Sequence, residues 1–337
     1  MSHTSIHVHT LAGLVFVGGA LALTGLAQSP TQAGSRPTTE VVGFGLSPEE
    51  KEILSHMSIV FLDDGLGGTV KTIRIEGTNL QLVNGLGSTG STNASGNLIV
   101  GYNELDGGAN ERTGSHNLIV GRQHDYTSVG GFVGGDNNTI SGPWSACLAG
   151  TGNTVSASSA AVVAGDGNTA AGNFSAVVAG SSNSTEAGSQ SVVSVGGFNN
   201  TAGGLRAVVA GGEQNDADGP AAAILGGFNN SATGAHATVG GGNGNIASGP
   251  QSSVTAGLSN VASGEGAVVL GGVLNVASGG QSTVTAGGNN TASGPISGVH
   301  GGEFNEASAQ SSTLGGGAFR TALGPFDWVA GVLFQDS

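Results

Sequence analysis

Ser252-Ser253-Val254-Thr255-Ala256-Gly257-Leu258-Ser259-Asn260-Val261-Ala262-Ser263-Gly264 belongs to a pattern that returns every fifteen residues through the C-terminal half of the chain. Asparagine recurs at this interval from Asn200 through Asn215, Asn230 and Asn245 to Asn305, and Arg320 takes the next place. Alanine follows two residues after each of these, from Ala202 to Ala322. An aliphatic residue stands six before each asparagine from 215 onward (Val209, Ile224, Val239, Val254 and so on to Leu314), and glycine stands three before. A short fixed period of this kind marks a solenoid, in which each coil touches only its neighbours.

The phasing within the unit identifies the kind of solenoid. Residues 252, 254 and 256 are small or aliphatic and alternate with positions free to be polar, which is the period of a strand with one face turned inward. Each unit therefore reads as strand, turn, strand, turn, and the glycine density excludes helix. The glycine pairs before each asparagine, and the glycine four after it (Gly204, Gly219, Gly234), are expected at the corners, where positive φ is cheap only without a Cβ. The expected fold is all-β, a parallel β-solenoid or β-roll of 15-residue coils with a small N-terminal helix and hairpin as cap. Stacking at about 4.8 Å per coil would bring the asparagines into a hydrogen-bonded ladder.

With 65 glycines and 9% charged residues among 337, an ordinary globular core is not expected. The strict period and low charge also differ from disordered low-complexity sequence. A net charge of −14 leaves no basic patch for nucleic acid. Residues 1–27 read as a signal peptide, since Leu11 to Ala27 is apolar and a polar, proline-containing stretch follows. A retained membrane anchor is the alternative for this segment. Residues 28–46 read as a linker. Residues 47–95 are expected to form the N-terminal cap. In it, Ser47-Pro48-Glu49-Glu50 starts a helix ending near Met57, a hairpin joins 59–62 to 69–75 through glycines, and a further strand covers 79–83.

Residues 96–135 form irregular first coils, in which Asn97-Leu98-Ile99-Val100-Gly101 and Asn117-Leu118-Ile119-Val120-Gly121 are twenty residues apart with a polar loop between them. The regular coils span 136–324, with a two-residue insertion between Asn183 and Gly196. Thirteen register positions from 138 to 320 correspond to roughly 60 Å of solenoid. Residues 325–337, with Phe326, Trp328 and Phe334, are expected to cap the last coil. The single Cys147 falls in the inward aliphatic column and reads as buried and unpaired.

The units Asn290-Thr291-Ala292-Ser293-Gly294 and Asn260-Val261-Ala262-Ser263-Gly264, joined by Ser-x-Val-x-x-Gly segments, resemble the head repeats of trimeric autotransporter adhesins over about 136–324. The layout from the Asp63-Asp64-Gly65 hairpin to the ending around Asp327-Trp328 also resembles a group of secreted bacterial repeat proteins with no assigned activity. The first resemblance implies a left-handed parallel β-roll and association of three chains about a common axis.

Chemistry is sparse. The acids of the regular coils read as scattered, with only Glu213 and Glu303 sharing a column, so paired-carboxylate catalysis is not expected. His116, His124 and Asp125 with Glu104 and Asp106 form the best titratable cluster, read chiefly as solvated loop residues. No catalytic residue, metal or cofactor is expected. The column two before each asparagine tolerates Phe198, Glu213, Phe228, Leu258, Val273 and Glu303, so it should point outward. Phe198, Phe228, Leu258 and Val273 are the expected partner surface. The sequence thus points to a secreted or cell-surface, non-enzymatic structural or adhesive rod, a homotrimeric fibre component that meets an extracellular ligand or surface and extends end to end as a filament. The alternative is a carbohydrate-binding or carbohydrate-active solenoid using the loops of 97–135.

Overall fold

The computed structural model describes residues 45–330 other than 109 and 191, so the expected signal segment, nearly all of the linker and Phe334 lie outside the described residues. The chain divides after Asn79 into two compact units. In the first, helix α1 (Pro48–Ser55) is set by a capping box: Glu50 N–H donates to Ser47 Oγ at 3.1 Å and Ser47 N–H to Glu50 Oε2 at 2.8 Å. Strands β1 (Met57–Asp63) and β2 (Thr69–Ile75) pair antiparallel with Met57 opposite Ile75. The Asp64 carboxylate closes their turn by accepting the Leu66 and Gly68 N–H groups, and these bonds hold its carboxyl below the usual range.

The second unit is the solenoid. Each coil gives one strand to a 16-stranded parallel sheet running from Leu98–Val100 to Trp328–Val329, and one to a 14-stranded parallel sheet running from Asp125–Tyr126 to Thr321–Ala322. Partners lie fifteen residues apart, as in Val254 with Val269 and Ala262 with Ala277. Single bridges such as Phe198 to Glu213 to Phe228 add a third row along one edge. The fold is therefore an all-β parallel β-solenoid with 15-residue spacing, as the column pattern required.

The interior is filled from both sheets. Val254 and Val269 on the long sheet, and Ala262 and Ala277 on the short one, are all fully buried. Burying each valine is worth about 1.5 to 3 kcal/mol. Alanine opposite valine suits so flat a coil, because a larger inward side chain would force the sheets apart. Cys147 occupies the same column, paired in register with Val133 and Val162, buried and free, and burial pushes its thiol up to about 11.

Asparagine closes one corner. Asn245 N–H donates to Asn230 Oδ1 at 2.9 Å, while Asn245 Nδ2 donates to the Gly241 and Gly257 carbonyls at 2.8 and 2.9 Å. Each asparagine side chain thus serves backbone groups of its own coil and of the next, since Asn245 Oδ1 also accepts the Asn260 N–H. The ladder continues to Arg320, whose N–H donates to Asn305 Oδ1 at 3.0 Å.

Four expectations need correction. The glycine four after each asparagine does not supply positive φ: Gly249 has an ordinary φ, but a Cβ there would strike the Gly264 carbonyl, so close stacking excludes a side chain. The glycine three before each asparagine does turn a left-handed corner as expected (Gly242, φ 91°), and the other left-handed corners fall at two columns that mostly carry side chains, such as Phe304 (φ 55°) and His236 (φ 58°). Next, 79–83 forms no strand, and from Leu80 onward the chain belongs to the solenoid unit rather than to a cap ending at 95. Asn84 and Asn93 tie this stretch to the first coils through His116 and Ser115.

Lastly, the start of the expected C-terminal cap is another half coil. Trp328–Val329 pairs in register with Thr313–Leu314, and Asp327 accepts the Gly324 N–H at 2.7 Å. The insertion after Asn183 lies between Thr185, in register with Ala170, and Gln190, bridged to Asn173.

Candidate interaction surface

A sealed interior leaves function to the outside of the coils. Phe198, Phe228, Leu258 and Val273 stand in the single-bridge row with their side chains 40 to 49% exposed, so the expected outward column is outward. Glu213 sits between the two phenylalanines. The adjoining left-handed column adds Leu274, Phe304 and Phe319, and the last two rings stack at 5.0 Å with planes 3° apart. The edge is therefore an apolar rail interrupted by carboxylates over the C-terminal coils.

The titratable cluster expected in the first coils is not assembled. His124 is fully buried: its Nδ1 accepts the Asn138 N–H at 3.2 Å and its Nε2 donates to the Val120 carbonyl at 3.2 Å. Burial pushes its pKa below the usual imidazole value. The His124 N–H in turn donates to Asn103 Oδ1 at 3.2 Å, so Asn103 and His124 are the first rungs of the asparagine ladder. His116 accepts the Asn84 N–H through Nε2 and donates to the Thr89 carbonyl through Nδ1, on the wall of an open groove of about 540 Å³. Asp125 accepts the Glu111 N–H, Asp106 closes its own loop on Gly108 and Asn110, and Arg112 binds the His124 and Glu104 carbonyls. Among the described residues, these side chains are spent on holding backbone.

The acids of the regular coils are less scattered than expected, and Glu213 and Glu303 are not alone in a column, because Asp166 stands in the same bridge row. Glu186 and Asp218 share a column with Gly203 between them, and a Cβ on Gly203 would run into Asp218 Oδ1 and lie 3.0 Å from Glu186 Oε2. Asp216, paired in register with Thr201, adds a third carboxylate whose buried Oδ1 has no hydrogen-bond partner. Burial, reinforced by the neighbouring Asp218 and Glu186 charges, pushes Asp216 up to about 6. Glu186 and Asp218 each stand three residues after an asparagine of the ladder, Asn183 and Asn215, whereas counting by fifteen from Glu186 reaches Asp216 instead.

Beside this cluster the core changes character. Thr185 and Ser194 stand where alanine and valine stand elsewhere, and between them the buried apolar residues fall into two clusters, Ile119 to Val177 and Val192 to Ala322. Thr185 Oγ1 meets Ser175 Oγ at 2.8 Å and accepts the Ala171 N–H, whereas Ser194 Oγ is buried without a partner.

No protein-family model and no curated protein matches this chain.

Proposed function

We propose that this chain is a secreted or cell-surface structural or adhesive rod, non-enzymatic, which associates as a homotrimer and presents its coil edges to an extracellular ligand or surface. The observation that carries this reading is the division of labour within each coil. Valine, alanine and asparagine columns are buried within one chain, while the columns that differ from coil to coil face solvent. Such a body offers length and a repeated surface, which suits a fibre component.

The likeness of the repeats to trimeric autotransporter heads supplies the number three. Sedimentation velocity of the full chain at micromolar concentration, with negative-stain images, tests it. The expected particle holds three chains, and a folded monomer refutes the trimer. Detection in the medium or on the cell surface after fractionation is expected, and retention in the cytoplasm would sink the compartment.

Carbohydrate binding by the loops of 97–135 is the second reading, favoured by one observation, the 95% exposed ring of Tyr102 beside the loop acids. Glycan-array binding lost in Tyr102→Ala would shift the balance toward it.

A further inference from the structure

A sheet with one face on a core and one in water alternates apolar inside with polar outside. The short sheet obeys this over most of its length, with outward residues such as Thr139, Thr154, Thr169 and Thr201, and departs from it at Ile246, Val261 and Val276 in three successive coils. The long sheet does not. Its outward row next to the buried valines carries Leu148, Val163, Val178, Val195, Leu225 and Leu270, each 37 to 66% exposed, and between and after these only small or uncharged residues and His300. The outward row on the other side of those valines reads only Ala, Val, Ser, Thr or Gly from Ala146 to Thr313.

Charge is distributed in the same way. Between Ala146 and Gly315 neither outward row of the long sheet holds Asp, Glu, Lys or Arg, and His300 is the one titratable residue. The acids of these coils lie elsewhere, with Asp216 on the short sheet, Glu186 just after a strand of it, and Asp166 and Glu213 in the bridge row. For a chain of net charge −14, this is the face on which a second copy meets no like charge. About four residues of width at about 3.3 Å, times a dozen strands at about 4.8 Å, give roughly 750 Å². That is close to the about 800 Å² each partner contributes to a standard interface.

We infer that copies of this chain associate through the outer face of the long sheet, which turns toward the common axis of the assembly. Three such faces meeting at one axis close by cyclic symmetry. The copy number rests on the trimer reading above; the choice of face rests on the rows and the charge. The short sheet, the bridge-row edge and the acidic cluster then remain on the outside.

The test is sedimentation of the full chain carrying Val178→Glu with Val195→Glu, against Thr154→Glu with Thr169→Glu on the short sheet. The expected result is loss of the oligomer in the first variant, with its β circular dichroism retained, and an unchanged oligomer in the second. A second measurement covers the case in which the first variant fails to fold. Val195→Cys should give an interchain disulfide on mild oxidation, and Thr169→Cys should give none. A wild-type monomer overturns the trimer reading and this inference together. A wild-type oligomer that survives the long-sheet charges, or that cross-links through Thr169→Cys instead, overturns the choice of face alone.

Discussion

The Nδ1 atom of His124 accepts the backbone N–H of Asn138 at 3.2 Å, so an imidazole fills one rung of a ladder otherwise built from asparagine. The bond requires the neutral ring with its proton on Nε2, which the Val120 carbonyl accepts. Arg112 bonds to the His124 carbonyl, and the acid whose charge acts on the ring is Asp136, itself paired with Arg122 at 2.8 Å. Because folding lowers the imidazole pKa, the unfolded chain takes up this proton first. The stabilising contribution is complete above about pH 6.5 and falls as pH drops below it. His124→Asn, which restores the common rung, should reduce the loss of Tm between pH 7.5 and pH 5. An identical loss in both proteins would remove His124 as the cause.

The repeat was legible because its chemistry is columnar. Val254, Ala262 and Asn260 each obey one physical demand, burial or a ladder bond, and the demand recurs every coil. His124 was not legible as a rung: twenty-one residues separate it from Asn103 and fourteen from Asn138, and a histidine beside acids suggests a ligand before it suggests an amide substitute. The gathering of Glu186, Asp216 and Asp218 is spread over two adjoining columns and two coils, so a search for acids within one column does not find it. The apolar outer face of the long sheet was masked differently, since its valines alternate with buried valines and read as one aliphatic run.

Removing a single amide should be costly. Asn245→Ala deletes the acceptor of the Asn260 N–H and the donor to the Gly241 and Gly257 carbonyls. The Asn260 N–H and the Gly241 carbonyl are left without a partner at about 1 to 3 kcal/mol each, relieved in part by water, while the Gly257 carbonyl keeps the Asn243 N–H, so a loss of about 2 kcal/mol or more is expected. Thermal unfolding of the variant measures it, and a change below about 1 kcal/mol would mean that the ladder is decorative.

Adjacent glycines should respond oppositely to a methyl group. Gly242 has φ of 91°, and a Cβ there would clash with the Gly257 carbonyl oxygen, whereas a Cβ on Gly241 would find nothing nearer than the Gly226 oxygen at 3.9 Å. Gly242→Ala should therefore unfold or strongly destabilise the coil, and Gly241→Ala should shift Tm little. Comparable losses in the two variants would contradict the assigned corner.

Asp216 offers the opposite pH dependence to His124. Its carboxyl is pushed up to about 6 from 3.8, so the folded chain holds this proton after the unfolded chain has released it. Its contribution is most favourable below about pH 4 and declines as pH rises to about 6. Two pKa units correspond to about 3 kcal/mol, and screening at this half-exposed group reduces that to about 1 kcal/mol. Asp216→Asn should gain that amount at pH 7.5 and nothing at pH 3.5. A gain equal at both pH values would assign the effect to packing rather than charge.

The joint between the two apolar clusters is the place to strengthen the solenoid. Ser194 pairs in register with Val177 on one side and Val209 on the other, both fully buried, yet its hydroxyl has no partner. Valine in that position would join the clusters and remove a buried unsatisfied group that costs about 1 to 3 kcal/mol. The column holds valine in the coils on both sides, so the added methyl groups enter a space of the right shape, and overpacking is limited by the small Ala202 on the opposite sheet. Ser194→Val should raise stability by about 1 to 2 kcal/mol and slow amide exchange in Val177 and Val209 together. Thr185→Ala, by contrast, should destabilise, because Thr185 Oγ1 serves Ser175 and the Ala171 N–H. Were Ser194→Val neutral or destabilising, an ordered water or a local shift must already satisfy the serine, and the joint would have to be understood as a polar seam that the coil requires.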